Sequence, residues 1–146
     1  AEARYVATEQ ALGGLRVRDL MVRHPVTVEA DWTIGRVMDD VASSHRFTTY
    51  PVLDGGSPVG LLPFASVAAV PRPEWETRRV RETMISLDKV PLLTEDEKAV
   101  DALAELSAPD ANRGLVVDHG QLAGLLSITD LVRALEVGRR PAQARG

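Results

Sequence analysis

With 146 residues, a formal net charge of −4 and no cysteine, the chain is sized for one domain or two very small ones, and disulfide and thiolate chemistry are excluded. The acidic balance gives no support for a nucleic-acid role, since no basic stripe precedes the last few residues. Hydrophobic residues make up 45% but aromatics only 4%, so Val, Leu, Ile and Ala must fill the interior.

In chain order, Glu2 to Leu12 reads as a helix ended by Gly13-Gly14, and Leu15 to Met21 as a short second helical piece. His24-Pro25 forces extended backbone, and Val26-Thr27-Val28 alternates as a short strand. Asp31 is the expected N-cap of a helix running to about Ser43, with Ile34, Val37, Met38, Val41 and Ala42 on one side. Thr48 to Leu53 is a strand, Asp54-Gly55-Gly56 a hairpin turn, Val59 to Leu62 its partner, and Phe64 to Val70 a brief helix. Pro71 and Pro73 open a linker that runs to Arg79.

The series then restarts. Val80 to Met84 repeats Val17 to Met21, and Lys89 to Leu92 repeats Pro25 to Val28. Thr94-Glu95-Asp96-Glu97 has the form of a capping box, opening a helix with Val100, Leu103 and Leu106 inward. Leu115 to Asp118 repeats Pro51 to Asp54, and Gly124-Leu125-Leu126 repeats Gly60-Leu61-Leu62, at an offset of about 64 residues. One such unit is too small to bury both faces of its sheet. The expected fold is therefore α/β: two β-α-β-β-α repeats packed through their sheets with pseudo-twofold symmetry, plus an N-terminal helix. The expected division is 1–14 for that helix, 15–70 and 80–138 for the repeats, 71–79 for the linker and 139–146 for a frayed tail. Two equivalent clefts would lie between the repeats, each lined by strand ends and the start of a final helix.

The most informative stretch is Gly124-Leu125-Leu126-Ser127-Ile128-Thr129-Asp130, where a strand runs into an amphipathic helix. Early helix amides can receive a phosphate, aided by the helix dipole. The Ser127 hydroxyl can donate to the same phosphate, and the Asp130 carboxylate can accept from two ribose hydroxyls. The plainer alternative is that Ser127 caps the helix and Asp130, at its third position, completes a capping box. In the first repeat the equivalent residues are Pro63, which lacks an N–H, and Ser66. Losing the charged acceptor would weaken ribose binding by roughly 1.5–3 kcal/mol, so at most one good nucleotide site is expected.

The doubled order resembles a tandem pair of CBS domains, in which each unit opens on V-x-D-x-M, here Val17 to Met21 and Val80 to Met84, and closes on G-hydrophobic-hydrophobic-S/T-x-x-D, here Gly124 to Asp130. That resemblance implies a non-catalytic regulatory module for an adenosine-containing ligand such as AMP, ADP, ATP or S-adenosylmethionine. It implies Asp130, Ser127 and Thr129 at the ribose and phosphate, and Val90 with Arg113-Gly114 along the base. A narrower resemblance rests on the Ala1-Glu2-Ala3-Arg4-Tyr5 start, Trp32, the Pro71 linker and the run Met84 to Pro91. These are similar to the C-terminal CBS pair of bacterial site-2-protease-type intramembrane zinc metallopeptidases. There the pair lies on the cytoplasmic side, after the membrane helices, which implies a cytoplasmic location for this piece. A first residue of Ala1 in place of Met fits a piece of a longer chain.

Other chemistries find little support. His24, His45 and His119 lack metal-ligand spacing, H-E-x-x-H is absent, and no nucleophile elbow marks a serine. Asp39-Asp40 reads as a solvated helix face, and Gly55-Gly56 as a turn with no phosphate-loop lysine after it. Arg139, Arg140 and Arg145 read as tail. No apolar run approaches the roughly 20 residues of a membrane helix, and no signal peptide is present, so a soluble piece is expected. No cofactor is required and no metal is expected. A homodimer through the helices after each hairpin, and a covalently attached enzyme or membrane domain, are the expected partners. The competing expectation is a ligand-free module that only dimerises and holds its parent in register.

Overall fold

The computed structural model describes residues 11–42, 48–108 and 112–139. Most of the expected N-terminal helix and the tail beyond residue 139 lie outside them; Ala11 and Leu12 are helical and run into a turn at Gly13-Gly14. In order come helix α1 (Val17–Leu20), strands β1 (Val22–Arg23) and β2 (Val28–Glu29), helix α2 (Ile34–Val37) continued by a π turn over Met38–Ala42, strands β3 (Thr49–Asp54) and β4 (Ser57–Pro63), and helix α3 (Phe64–Ala68). A 3-10 turn at Arg72–Glu74 leads to helix α4 (Val80–Thr83), strand β5 (Ile85–Ser86), a second 3-10 turn at Leu87–Lys89, and strand β6 (Leu92–Leu93). Helix α5 (Ala99–Leu106), strands β7 (Arg113–Asp118) and β8 (Gln121–Ser127), and helix α6 (Ile128–Arg139) complete the chain. The predicted doubling is there, element for element.

The strands form two four-stranded sheets, ordered β1-β8-β7-β6 and β2-β3-β4-β5. In each, the strand before the long helix runs parallel to the first hairpin strand: β2 with β3 through Val28 and Val52, β6 with β7 through Leu93 and Val116. Both hairpins turn on two residues with positive φ, Gly55-Gly56 at 60° and 87° and His119-Gly120 at 51° and 78°, the backbone that suits the twist of a two-residue loop.

The two compact units are not the two sequence repeats. One contains α1, β1, β6, α5, β7, β8 from Ala123 onward, and α6; the other contains β2, α2, β3, β4, α3, α4, β5 and the hairpin tip His119–Leu122. Each repeat therefore lends its opening helix and two-residue strand to the sheet of the other. Glycine makes the edge pairing possible. A Cβ on Gly60 would stand 2.3 Å from the Ile85 carbonyl oxygen, and one on Gly124 would stand 2.8 Å from both Met21 Sδ and the Val22 oxygen.

The lent helices are fixed by the same hydrogen bonds in both units. Val17 N–H donates to Glu97 O at 2.9 Å, and Val80 N–H to Trp32 O at 2.9 Å. Arg18 N–H reaches Glu95 O and Arg81 N–H reaches Ala30 O; in return Ala99 N–H donates to Leu15 O and Ile34 N–H to Arg78 O. The guanidiniums of Arg16 and Arg79 each donate to an aspartate carbonyl, of Asp96 and Asp31, at 2.9 Å. Arg18 pairs with the Asp96 carboxylate, while Arg81 lies 3.0 Å from Asp31 and 2.9 Å from Asp54. Each lent helix opens with its backbone held by its own acid: Arg16 N–H donates to Asp19 and Arg79 N–H to Glu82, both at 2.8 Å. Behind this clasp lie two separate cores, Leu12, Val17, Leu93, Leu106, Val116, Leu126 and Leu131 in one unit and Val28, Ile34, Val37, Tyr50, Val52, Leu62 and Val80 in the other.

The clasp moves the helix starts away from the positions the local sequence suggests. Asp31 is not the cap of α2: Thr33 is, its hydroxyl accepting from Arg36 N–H at 3.1 Å, because the Asp31 carbonyl and carboxylate are both engaged by arginines. Thr94 to Glu97 does not form a capping box either. That segment forms a turn, closed by Glu97 N–H on Thr94 O, whose Glu95 and Glu97 carbonyls receive α1, and α5 begins at Ala99 behind Lys98, which makes no side-chain cap bond. The expected helix over Leu15 to Met21 shortens to Val17–Leu20, and the strand expected over Val26 to Val28 sits at Val28–Glu29.

Candidate functional site

The site predicted from sequence lies where β8 becomes α6, within one unit. There is no loop at this junction: Ser127 is the last strand residue and Ile128 the first helical one. Ile128 N–H donates to Asn112 O at 2.8 Å, drawing the helix start against the residue just before β7 and so beside Arg113-Gly114. Gly114 is buried, and a Cβ there would come within 3.0 Å of Leu93 Cδ1 and 3.1 Å of Pro91 O, so the backbone packs directly on β6. Arg113 is half-buried and Thr129 is exposed.

Ser127 and Asp130 hold one another. Ser127 N–H donates to Asp130 Oδ2 at 3.1 Å, and Asp130 N–H donates to Ser127 Oγ at 3.2 Å. This is the reciprocal capping box that the sequence offered as the plainer alternative. It is compatible with a ligand, because the box uses one acceptor position of a carboxylate that has about four, and leaves the serine O–H as a donor. What it does not leave is a crown of free amides: three of those at the helix start already have acceptors, contrary to the expected phosphate cradle. On its other side Asp130 borders an open, mostly apolar groove of about 390 Å³, with Leu15, Leu20, Arg133, Ala134 and Val137 along it.

The structure thus gathers Ser127, Asp130, Arg113 and Gly114 at one end of one sheet. Val90, predicted to line the same site, is buried at the end of a 3-10 turn and belongs to the other unit. The first repeat keeps the backbone of the junction and loses its chemistry. Phe64 N–H donates to Thr48 O at 2.8 Å, as Ile128 does to Asn112, but Pro63 at the cap makes no side-chain bond, and Ser66 stands where Asp130 stands in the second copy.

Two features of the charge pattern escaped the sequence reading. The arginine clasp was visible only as a doubled Arg-x-Arg-acid, Arg16 to Asp19 and Arg79 to Glu82, whose meaning is tertiary. The other is a row of acids beside it. Burial, then a hydrogen bond and charge from Glu105, then charge from Asp101, push the Glu97 carboxyl up to about 7. Among the described residues no group of three or more His, Asp or Glu side chains converges to hold a metal ion, and no helix is long and apolar enough to cross a membrane.

Comparison with known proteins agrees with this architecture. A profile of the CBS domain family matches residues 17–70 and 80–137. Zinc metalloprotease MJ0392 of Methanocaldococcus jannaschii is 28% identical over 136 residues, which are 93% of this chain but only 37% of that protein. Among solved structures, the CBS domain of a bacterial CNNM/CorC family Mg2+ transporter, determined in complex with ATP, superposes with a TM-score of 0.77 at 21% identity, covering 95% of this chain and 99% of that one. CBSX2, determined in complex with AMP, superposes with a TM-score of 0.72 at 22% identity, covering 87% of this chain and all of that one.

Proposed function

Since this chain belongs to the CBS domain family and carries two of its repeats, we propose that it is a regulatory module that binds an adenosine-containing ligand at its second repeat and controls a protein to which it is covalently attached. CBS pairs are regulatory and non-catalytic. The observation that carries the ligand reading is the Ser127–Asp130 pair, a carboxylate fixed at a strand-to-helix junction with acceptor capacity to spare and a hydroxyl donor beside it. The complexes of two structural neighbours with ATP and AMP support it by analogy of fold. Likeness to MJ0392, of which this chain spans little more than a third, supports a zinc metalloprotease as the parent; a membrane parent with the pair on its cytoplasmic side is what the family resemblance of the sequence implies. In this reading Asp130 accepts from ribose hydroxyls, Ser127 and Thr129 face the 5′ side, and Arg113 and Gly114 lie along the base.

Thermal melting tests the proposal. An adenosine ligand at millimolar concentration is expected to raise Tm by a few degrees, which corresponds to roughly 1–3 kcal/mol of linkage, and Asp130→Ala is expected to remove the rise. No rise with any adenosine ligand would sink it.

One observation favours a second reading. Pro63 and Ser66 leave the first junction without a capping box, and the box at the second already satisfies its own members. A ligand-free module that dimerises through α3 and α6 needs no more than this. Light scattering separates the two: self-association untouched by Asp130→Ala, with no response to ligand, selects the second.

A further inference from the structure

The chain has three methionines, Met21, Met38 and Met84, and no cysteine, so the sulfur it offers to an oxidant is thioether sulfur. Two of the three stand at repeat-equivalent places, each closing a lent helix just before its strand. Met21 N–H donates to Val17 O and Met84 N–H to Val80 O, both at 2.9 Å. Each sulfur lies over the glycine that admits that strand: a Cβ on Gly60 would stand 3.0 Å from Met84 Sδ, and one on Gly124 would stand 2.8 Å from Met21 Sδ. The other near neighbour is in each case a carbonyl oxygen of the lent strand, of Ile85 at Gly60 and of Val22 at Gly124.

The two sulfurs differ in access. Met21 is 8% exposed and belongs to the core of its unit, whereas Met84 is half-buried at the edge of the other core. A small neutral hydroperoxide can therefore reach Met84 in the folded chain, but reaches Met21 only when its unit opens. We propose that Met84 is an oxidation site whose co-reactant is a hydroperoxide, and that sulfoxide formation there unseats β5 from β4. In the reaction the sulfur lone pair takes the terminal peroxide oxygen and the O–O bond breaks. The thioether is oxidised by two electrons, and hydrogen peroxide leaves as water. The new S–O group is a strong hydrogen-bond acceptor set beside the Ile85 carbonyl, another acceptor, so burying it there is costly. Against that cost β5 has only the pairs Gly60 with Ser86 and Leu61 with Ile85. The oxidised side chain swings out to water, and the lent strand loses the cover of its glycine.

Treatment of the chain with hydrogen peroxide, followed by peptide mass spectrometry and thermal melting, decides the matter. Met84 is expected to gain one oxygen at least about tenfold faster than Met21, which must wait for local opening. Tm is expected to fall by about 3 °C or more as the Met84 sulfoxide accumulates, and to recover when a methionine sulfoxide reductase returns the thioether. Met84→Leu, close in volume and without sulfur, is expected to melt near the unaltered chain and to show no fall with peroxide. Met38→Leu, altered in the π turn, is expected to keep the fall. Oxidation of Met21 as fast as Met84, full oxidation of Met84 with Tm unchanged, or the same fall in Met84→Leu overturns the inference. So does a Met84 left unreacted while free methionine in the same tube is oxidised, or a fall in Tm that persists after enzymatic reduction.

Discussion

In one unit the Arg36 guanidinium lies 4.2 Å above the Trp32 ring and 3.0 Å from the Asp40 carboxylate, an aromatic, a cation and an anion spaced four apart. At the corresponding places in the other unit stand Glu97, Asp101 and Glu105. The correspondence is given by the backbone, since Trp32 O and Glu97 O receive the same amide from the lent helix, Val80 and Val17 respectively. Identical main-chain clasps therefore tolerate side-chain rows of opposite character, one mutually attractive and one repulsive. The contrast teaches that main-chain hydrogen bonds and the apolar residues behind them hold the lent helices. The exposed rows are left to vary, as the weak energetics of exposed ion pairs would suggest.

If that is right, the two cores are equals. Leu62 and Leu126, both fully buried on the second hairpin strand of their sheets, should each cost about 2–5 kcal/mol when cut to Ala, and by similar amounts in urea unfolding. A large inequality would mean that one unit dominates the stability of the chain. Next come the glycines under the lent strands. Gly60→Ala pushes a methyl onto a backbone oxygen at 2.3 Å and should cost about 3 kcal/mol, whereas Gly124→Ala meets a methionine sulfur as well as a carbonyl, each at 2.8 Å, and should cost about 1–2 kcal/mol. Equal costs would break the ranking.

The two helix starts should differ in the same way. Ser127→Ala removes a cap and should lose about 1 kcal/mol, while Ser66→Ala, with no cap behind it, should change stability by less than about 0.5 kcal/mol in the same assay. The smallest effect is a pH dependence confined to the acidic row. The folded chain holds Glu97 protonated up to about 7, whereas the unfolded chain releases that proton near 4.5. The stability this gives is complete below pH 4.5 and is lost as pH rises through 7, with a size of order 1 kcal/mol because most of the group faces water. Glu97→Gln should flatten Tm against pH over that window; an unchanged profile would show that the row is fully solvated.

Much of this was legible in the chain itself. The repeat showed because turn chemistry and glycine spacing are local, and a sequence of Asp54-Gly55-Gly56 bends the same way in any surroundings. The helix starts misled because Asp31 and Thr94 to Glu97 have the composition of caps, yet their backbones are claimed by residues far along the chain, and no local pattern records that. The same limit hid the interleaving, since a strand of two residues such as Ile85–Ser86 carries no mark of which hairpin it will join. At Ser127 and Asp130 both sequence readings described one arrangement, because the groups that cap a helix are also the groups that can meet a ribose.

The interleaving of the two copies has a consequence for how such a protein can be divided. A cut in the stretch between Val70 and Val80 would not release two self-sufficient halves, because each fragment would carry away the edge strand its sibling needs. The natural partner for an isolated half is another of its own kind, trading the same short segment across a symmetric pair.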